Sequence, residues 1–149
     1  MDRTAVISTL NDLLRTTNDG EDGFRLCAEK ATAERLKTVL ESVAAICVKG
    51  ADELERTIRD LGGEAAQNGT ASGLSHRAWT SLKDSIAGMD DHAILVECER
   101  GEDAAKEVYE AALRKDLPPD VRVMVERQYR GLLANHQRIR ELRDAVRIA

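Results

Sequence analysis

Aromatic residues and prolines are scarce in this chain. Only 3% of its 149 residues are aromatic, and its two prolines, Pro118 and Pro119, stand side by side. With 33% charged residues and much Ala, Leu, Glu, Arg and Asp, the composition is typical of an all-α protein. A chain of this length is long enough to bury a core, and we expect a single domain, residues 1–149.

Other absences narrow the class of protein. The formal net charge is -5 and no block of Lys and Arg occurs, so we expect no nucleic-acid partner. No apolar run approaches 18 residues and no signal peptide is recognisable, which predicts neither a membrane span nor export. The odd set of three cysteines, Cys27, Cys47 and Cys98, contains no CxxC pair. We therefore expect buried, reduced thiols in a cytoplasmic protein.

Local motifs of catalysis are missing as well. The chain has no nucleophile elbow, no phosphate-binding loop and no H-E-x-x-H zinc motif. An enzyme with this sequence would therefore have to work through a bound metal or through buried carboxylates.

Apolar residues recur at spacings of three and four in four long segments. They predict helices over about 3–31, 33–61, 90–115 and 119–146. Thr32 is a candidate cap for the second helix, which Gly62-Gly63 ends, and Pro118-Pro119 separates the last two. Asn18-Asp19-Gly20 leaves open whether the first helix is one piece or two.

Between the second and third helices lies one long connection. Its pattern predicts a short helix over about 74–87, with Trp79 as a hydrophobic anchor. On each side of this connection, two helices form a hairpin through a short turn. We therefore expect this connection to be the only long one. A four-helix bundle with one long crossover has the ferritin-like topology, and we expect an up-down bundle of that kind.

Five residues are candidate metal ligands: Glu21, Glu97, Glu102, Glu126 and His136. Glu21 and His136 stand where core residues are expected, and Glu97, Glu102 and Glu126 lie at the edges of apolar stripes. Inward carboxylates on neighbouring helices can neutralise and bridge divalent ions, so the pattern leaves open a site for iron or manganese without identifying a cofactor.

The same residues have a simpler interpretation. A di-iron site needs a Glu-x-x-His pair on two helices, and here Tyr129 follows Glu126 at that spacing while His136 is ten residues on. The second helix has no histidine at all. This incomplete set argues against a full di-iron site and favours buried or half-buried carboxylates, with His136 as a hydrogen-bonded core histidine.

Four stretches resemble a known family: Leu10–Arg25, Ser75–Lys83, Ile94–Ala105 and Leu117–Tyr129. The family consists of bacterial proteins of unknown function, described as four-helix bundles of the ferritin-like superfamily. The resemblance implies the fold just predicted. Ferritin-like relatives elsewhere bind di-iron as oxidases, peroxidases or iron stores, and only Glu21, Glu97 or Glu102, and Glu126 could correspond to their ligands.

Two hypotheses follow from the sequence. The first is a non-enzymatic, cytoplasmic ferritin-like bundle that assembles or binds a protein partner, with an absent or degenerate metal site and a dimer formed through a helix hairpin. The alternative is a metal-dependent oxidoreductase or metal-storage bundle that uses the five candidate ligands.

Overall fold

The computed structural model describes residues 1–66, 79 and 82–148, with the backbone alone at 147 and 148. All regular secondary structure in this part is helical, which confirms the all-α class. The helices are α1 (Arg3–Lys30), α2 (Glu34–Asp60), α3 (Leu82–Ser85), which a 3-10 turn (Ile86–Gly88) extends, α4 (Asp91–Leu113) and α5 (Pro119–Ile148). Among these described helices, none contains a segment long and apolar enough to cross a membrane.

The first helix is continuous through Asn18-Asp19-Gly20. Asp2 caps its N-terminus by accepting a hydrogen bond from the backbone nitrogen of Ala5 at 2.8 Å. At the far end of α2, Gly62 adopts a φ of +84°, a conformation that glycine adopts without strain. The amide of Gly63 then bonds the carbonyl of Ile58 at 2.9 Å, so this pair of glycines ends the helix by a Schellman motif.

Contacts between the long helices fix their directions. The end of α2 returns to the start of α1, since Asn11 accepts a hydrogen bond from the amide of Ala66 at 2.8 Å. The pairs Tyr109–Gln128 and Asp103–His136 run in opposite senses along α4 and α5. Each hairpin is therefore antiparallel.

The two hairpins also pack antiparallel against each other. Thr17 of α1 lies against Tyr109 of α4. Closer to the start of α1 and just past the end of α4, Lys115 donates a hydrogen bond to Thr9. In the same way Thr57 of α2 donates to Met124 of α5. The order of directions is thus up, down, down, up, and α1 packs extensively on α2 and α4 while α2 and α5 touch sparsely.

Because α2 and α4 point the same way, the end of α2 and the start of α4 lie at opposite ends of the bundle. Most of the predicted loop and the first part of the predicted 74–87 helix lie outside the described residues. Trp79 is described, and its indole packs between Gly23 of α1 and Gly101 of α4. Its ring also meets Phe24 edge to face at a centroid distance of 5.2 Å.

The buried core consists of two apolar clusters. One is built around Leu10, Leu14 and Leu54, the other around Leu40 and Ile94. Between them every long helix contributes small or polar residues, and we call this region the middle belt. It comprises Thr16, Thr17 and Gly20 of α1, Cys47, Gly50 and Glu53 of α2, Glu102, Ala105 and Tyr109 of α4, and Gln128 and Asn135 of α5.

Candidate functional site

A cleft of about 520 Å³ opens into the middle belt between α2 and α5, where the two helices pack least closely. Gly50 and Gly131 face it from the two sides, and a Cβ added at Gly131 would contact nothing within 4 Å. On the opposite side of the bundle, Trp79 fills the groove between α1 and α4. The middle belt is therefore open at the α2/α5 cleft and closed by the indole at the α1/α4 groove.

Hydrogen bonds from four helices meet at this cleft. The Tyr109 hydroxyl donates to Oε1 of Gln128 at 2.9 Å and lies 3.3 Å from the hydroxyl of Thr17. Gln128 in turn donates through Nε2 to Glu53 at 2.8 Å and to the Gly50 carbonyl at 3.3 Å. Burial raises the pKa of Tyr109 to about 12, so this hydroxyl stays protonated and remains a donor.

Two buried polar side chains of the cleft wall have no partner. Asn135 is only 7% exposed and Thr16 6%, yet within the described part of the chain neither side chain forms a hydrogen bond. The polar atoms of both side chains reach solvent at the cleft wall, since neither residue is among those of the described part whose side-chain nitrogen or oxygen is shut off from water without a partner. Both groups are thus free to bond a molecule in the cleft.

Glu102 is the most deeply buried charged residue in the described part. It is 2% exposed, and neither carboxyl oxygen has a hydrogen-bond partner among the described residues. Burial, with the charges of Asp103 and Glu99, raises the pKa of Glu102 to about 8. The residue is therefore a neutral carboxylic acid at pH 7. The sequence placed it at the edge of its stripe, whereas the structure places it inside.

Two of the three cysteines, Cys47 and Cys98, lie within electrostatic range of this buried acid. Cys27 and Cys98 are fully buried, Cys47 is half-buried at the cleft wall, and all three are free thiols. Burial, together with the charge of Glu102, raises the pKa of Cys47 to about 12. Burial also holds the pKa of Cys98 well above its ordinary value. As placed, the thiols of Cys47 and Cys98 are protonated and therefore poor nucleophiles.

Two of the remaining candidate ligands are paired with arginines of their own helix. Glu21 accepts a hydrogen bond from Nε of Arg25 at 2.8 Å, and Glu97 accepts one from Nη2 of Arg100 at 2.7 Å. In each pair one arginine nitrogen bonds one of the two carboxylate oxygens. Neither is an open ligand in this arrangement.

The two candidates on α5 lie apart from the others. The Glu126 side chain is 44% exposed, and its nearest cation is Arg122 at 3.9 Å. His136 is buried, and its Nε2 lies 2.8 Å from Oδ1 of Asp103. A histidine held by one carboxylate at a helix–helix contact is the simpler of the two interpretations that the sequence offered.

The structure therefore brings only part of the predicted set near one point. Glu21 and Glu102 both lie within electrostatic range of Cys47, whereas Glu126 and His136 do not belong to that group. Among the described residues, no three His, Cys, Asp or Glu side chains come together in a way that could hold a metal ion. The residues as placed do not fit a di-iron or di-manganese site, which needs carboxylates and imidazoles from all four helices at one level.

Sequence reasoning missed the residues that form the cleft. Tyr109, Asn135 and Gln128 received no role, although Gln128 lies within the apolar stripe of α5. A polar residue within such a stripe was the available signal, since a buried amide requires partners. The glycines at 50 and 131, in otherwise regular helices, were a second signal.

These features define a class: an all-helical bundle with a polar interior belt and one side cleft. The chain belongs to the family named domain of unknown function DUF2383, whose model matches residues 5–115. The match spans α1, α2 and α4 and thus includes Glu102 and Tyr109. No curated protein matches the chain.

Proposed function

We propose that this protein is a ferritin-like bundle that acts by binding or assembly and carries no di-metal oxidase chemistry. The topology supports the ferritin-like assignment, because two antiparallel hairpins are joined by one long crossover. The observation that carries the functional proposal is the middle belt itself. Tyr109, Gln128 and Glu53 bond one another there, at the level where such bundles otherwise place metal ligands.

Metal analysis tests this proposal directly. Protein purified without chelators should contain less than stoichiometric iron and manganese, and added Fe(II) or Mn(II) should leave its thermal midpoint unchanged. Near-stoichiometric metal, or a rise in the midpoint on adding metal, would overturn the proposal, because a ligand that binds the folded state stabilises it by RT ln(1 + L/Kd), where L is the free ligand concentration.

The second candidate function is metal binding, and Glu102 is the observation that favours it. A buried carboxyl without a partner is a ligand type that iron and manganese accept. If metal is found, Glu102→Gln should remove it, whereas the matched change of an exposed acid, Glu126→Gln, should not. Loss in both variants would instead place Glu126 in the ligand set.

For assembly, we propose a homodimer formed through the α4–α5 hairpin. Three of the large apolar side chains that remain exposed lie on this hairpin: Val96, Val123 and Leu133. Val123 is the most exposed of them, at 63%. Light scattering should report a dimer that Val123→Asp weakens, and a monomer at every concentration would contradict the proposal.

We also place the protein in the cytoplasm. Three free thiols within one small domain support a reducing compartment. Fractionation of the native cells with an antibody tests this directly.

A further inference from the structure

The cleft between α2 and α5 is built from residues that leave room. Gly50, Gly131 and Ala105 line it with minimal side chains, and Ile46 extends over it while 45% exposed. Ile46 therefore offers apolar surface that a molecule in the cleft can cover. A volume of about 520 Å³ matches that of ordinary small-molecule sites.

The polar groups of the cleft also indicate a binding site. Asn135 and Thr16 are more than nine-tenths buried, line the cleft and are unpartnered within the described part of the chain. Gln128 and Tyr109, which line the same cleft, already have partners, because Tyr109 donates a hydrogen bond to Gln128 and Gln128 donates one to Glu53. The amide of Asn135 and the hydroxyl of Thr16 are therefore the free hydrogen-bonding positions against mostly apolar walls.

The charges at the rim nearly balance. Lys49, Arg56 and Arg127 oppose Asp52 and Glu53, and Arg127 is already paired with Glu53. A rim of this kind creates no strong field for an anion or a cation. An uncharged molecule fits it best.

From this geometry we propose that the α2/α5 cleft is a binding site for a small, uncharged organic molecule. Its apolar body lies against Ile46, Ala105 and Leu132, and a hydrogen-bonding group on it reaches Asn135. This site goes beyond the proposed function and does not depend on it. Stoichiometric iron in the metal analysis would overturn the earlier proposal and leave this one standing.

A fluorescence titration of the full chain with N-phenyl-1-naphthylamine tests the site. This probe is uncharged and apolar and carries one N–H group, and it brightens when it leaves water. The expected result is saturable binding with one probe per chain. A titration without saturation would mean that the cleft holds solvent only, and it would overturn the proposal.

Substitutions then locate the bound probe. Gly131→Leu adds a side chain at the cleft and should weaken binding about tenfold or more, since it removes apolar contact area. Ala134→Leu is the matched control, because it adds the same side chain to an exposed position of α5 outside the cleft. The affinity of Ala134→Leu for the probe should equal that of the native chain. Equal affinities of the native chain, Gly131→Leu and Ala134→Leu would overturn the proposal.

Two further variants test whether a loss of binding comes from the site itself and not from misfolding. Ile46→Ser changes an exposed side chain, so the fold should persist while binding weakens about threefold or more. Asn135→Ala should weaken binding about three- to tenfold, the loss expected for one hydrogen bond. Circular dichroism and the thermal midpoint of each variant confirm folding. Tighter binding of the anionic probe anilinonaphthalene sulfonate than of the neutral one would overturn the assignment to an uncharged molecule.

Discussion

The carboxylate of Asp91, in the first turn of α4, accepts hydrogen bonds from the backbone amide and the hydroxyl of Thr32 at 2.8 and 2.9 Å. Its second oxygen accepts from the amide of Ala33 at 3.0 Å. Ala33 is the N-cap of α2 and has no side-chain cap of its own. A residue 58 positions away in the chain therefore caps α2 and fixes the α1–α2 turn to the start of α4.

The first prediction is that Asp91→Ala lowers the free energy of unfolding by about 1–2 kcal/mol, the usual loss for a helix cap. Burial raises the pKa of Asp91, but the bonds from Thr32 and Ala33 outweigh it, so the pKa lies below its ordinary value. The stabilisation is therefore present at neutral pH and is lost as pH falls through that lowered pKa. Urea denaturation at pH 7 measures the loss, and Asp22→Ala, at an exposed acid of α1, should show almost none.

This cap shows where sequence reasoning succeeded and where it stopped. Periodicity located the long helices to within two residues at nearly every end, because one face of each must meet the core. The glycine stop at Gly62-Gly63 was equally readable, since its cause is local. Thr32 was predicted to cap α2, but it donates to Asp91 instead. A partner that folding brings from another helix leaves no local pattern.

The second prediction contrasts two helical glycines. In Gly101→Ala the new Cβ would lie 2.1 Å from Cζ2 of Trp79, a rigid ring that cannot bend away. We expect a loss of about 1–3 kcal/mol from overpacking. In Gly131→Ala the Cβ meets open space, so better helix propensity should stabilise the protein by about 0.5–1 kcal/mol. Thermal and urea unfolding measure the change in the free energy of unfolding for each variant. The two changes should have opposite signs if the indole contact is correct, and the same sign would contradict that contact.

The site was harder to foresee than the fold. The glycines at 23 and 101 were visible as unusual helix residues, but the residue that needs the space, Trp79, lies on the crossover. Glu102 was singled out as a candidate metal ligand, but its complete burial depends on how four helices pack. Hydrophobic spacing alone placed it at the edge of a stripe, since an edge position is exposed or buried according to the neighbouring helix.

The third prediction concerns Glu102 and pH. Burial raises its pKa from 4.5 to about 8, so between these values the folded state holds a proton that the unfolded state has lost. The group therefore lowers the free energy of unfolding as pH rises, by up to about 1.4 kcal/mol per unit, and the loss levels off above about pH 8.

Glu102→Leu should remove this slope and make the protein more stable than the native chain at pH 9, with a smaller difference at pH 5. Urea denaturation at intervals between pH 5 and 9 measures both quantities. Glu126→Leu is the control, because that side chain is 44% exposed and should leave the slope unchanged. If the native slope survives in Glu102→Leu, another group causes it.

The fourth prediction compares the two tyrosines of the described helices. Tyr109→Phe leaves Oε1 of Gln128 without its donor inside the bundle, so we expect a loss of about 1–2 kcal/mol. Tyr129→Phe removes a 2.6 Å bond to Glu110 near the surface, where water replaces the partner, and should cost less than about 0.5 kcal/mol. A double-mutant cycle then tests the bond itself, since Tyr109→Phe should cost less once Gln128→Leu has removed the acceptor. Equal costs in the two backgrounds would show that Tyr109 stabilises the middle belt by packing alone.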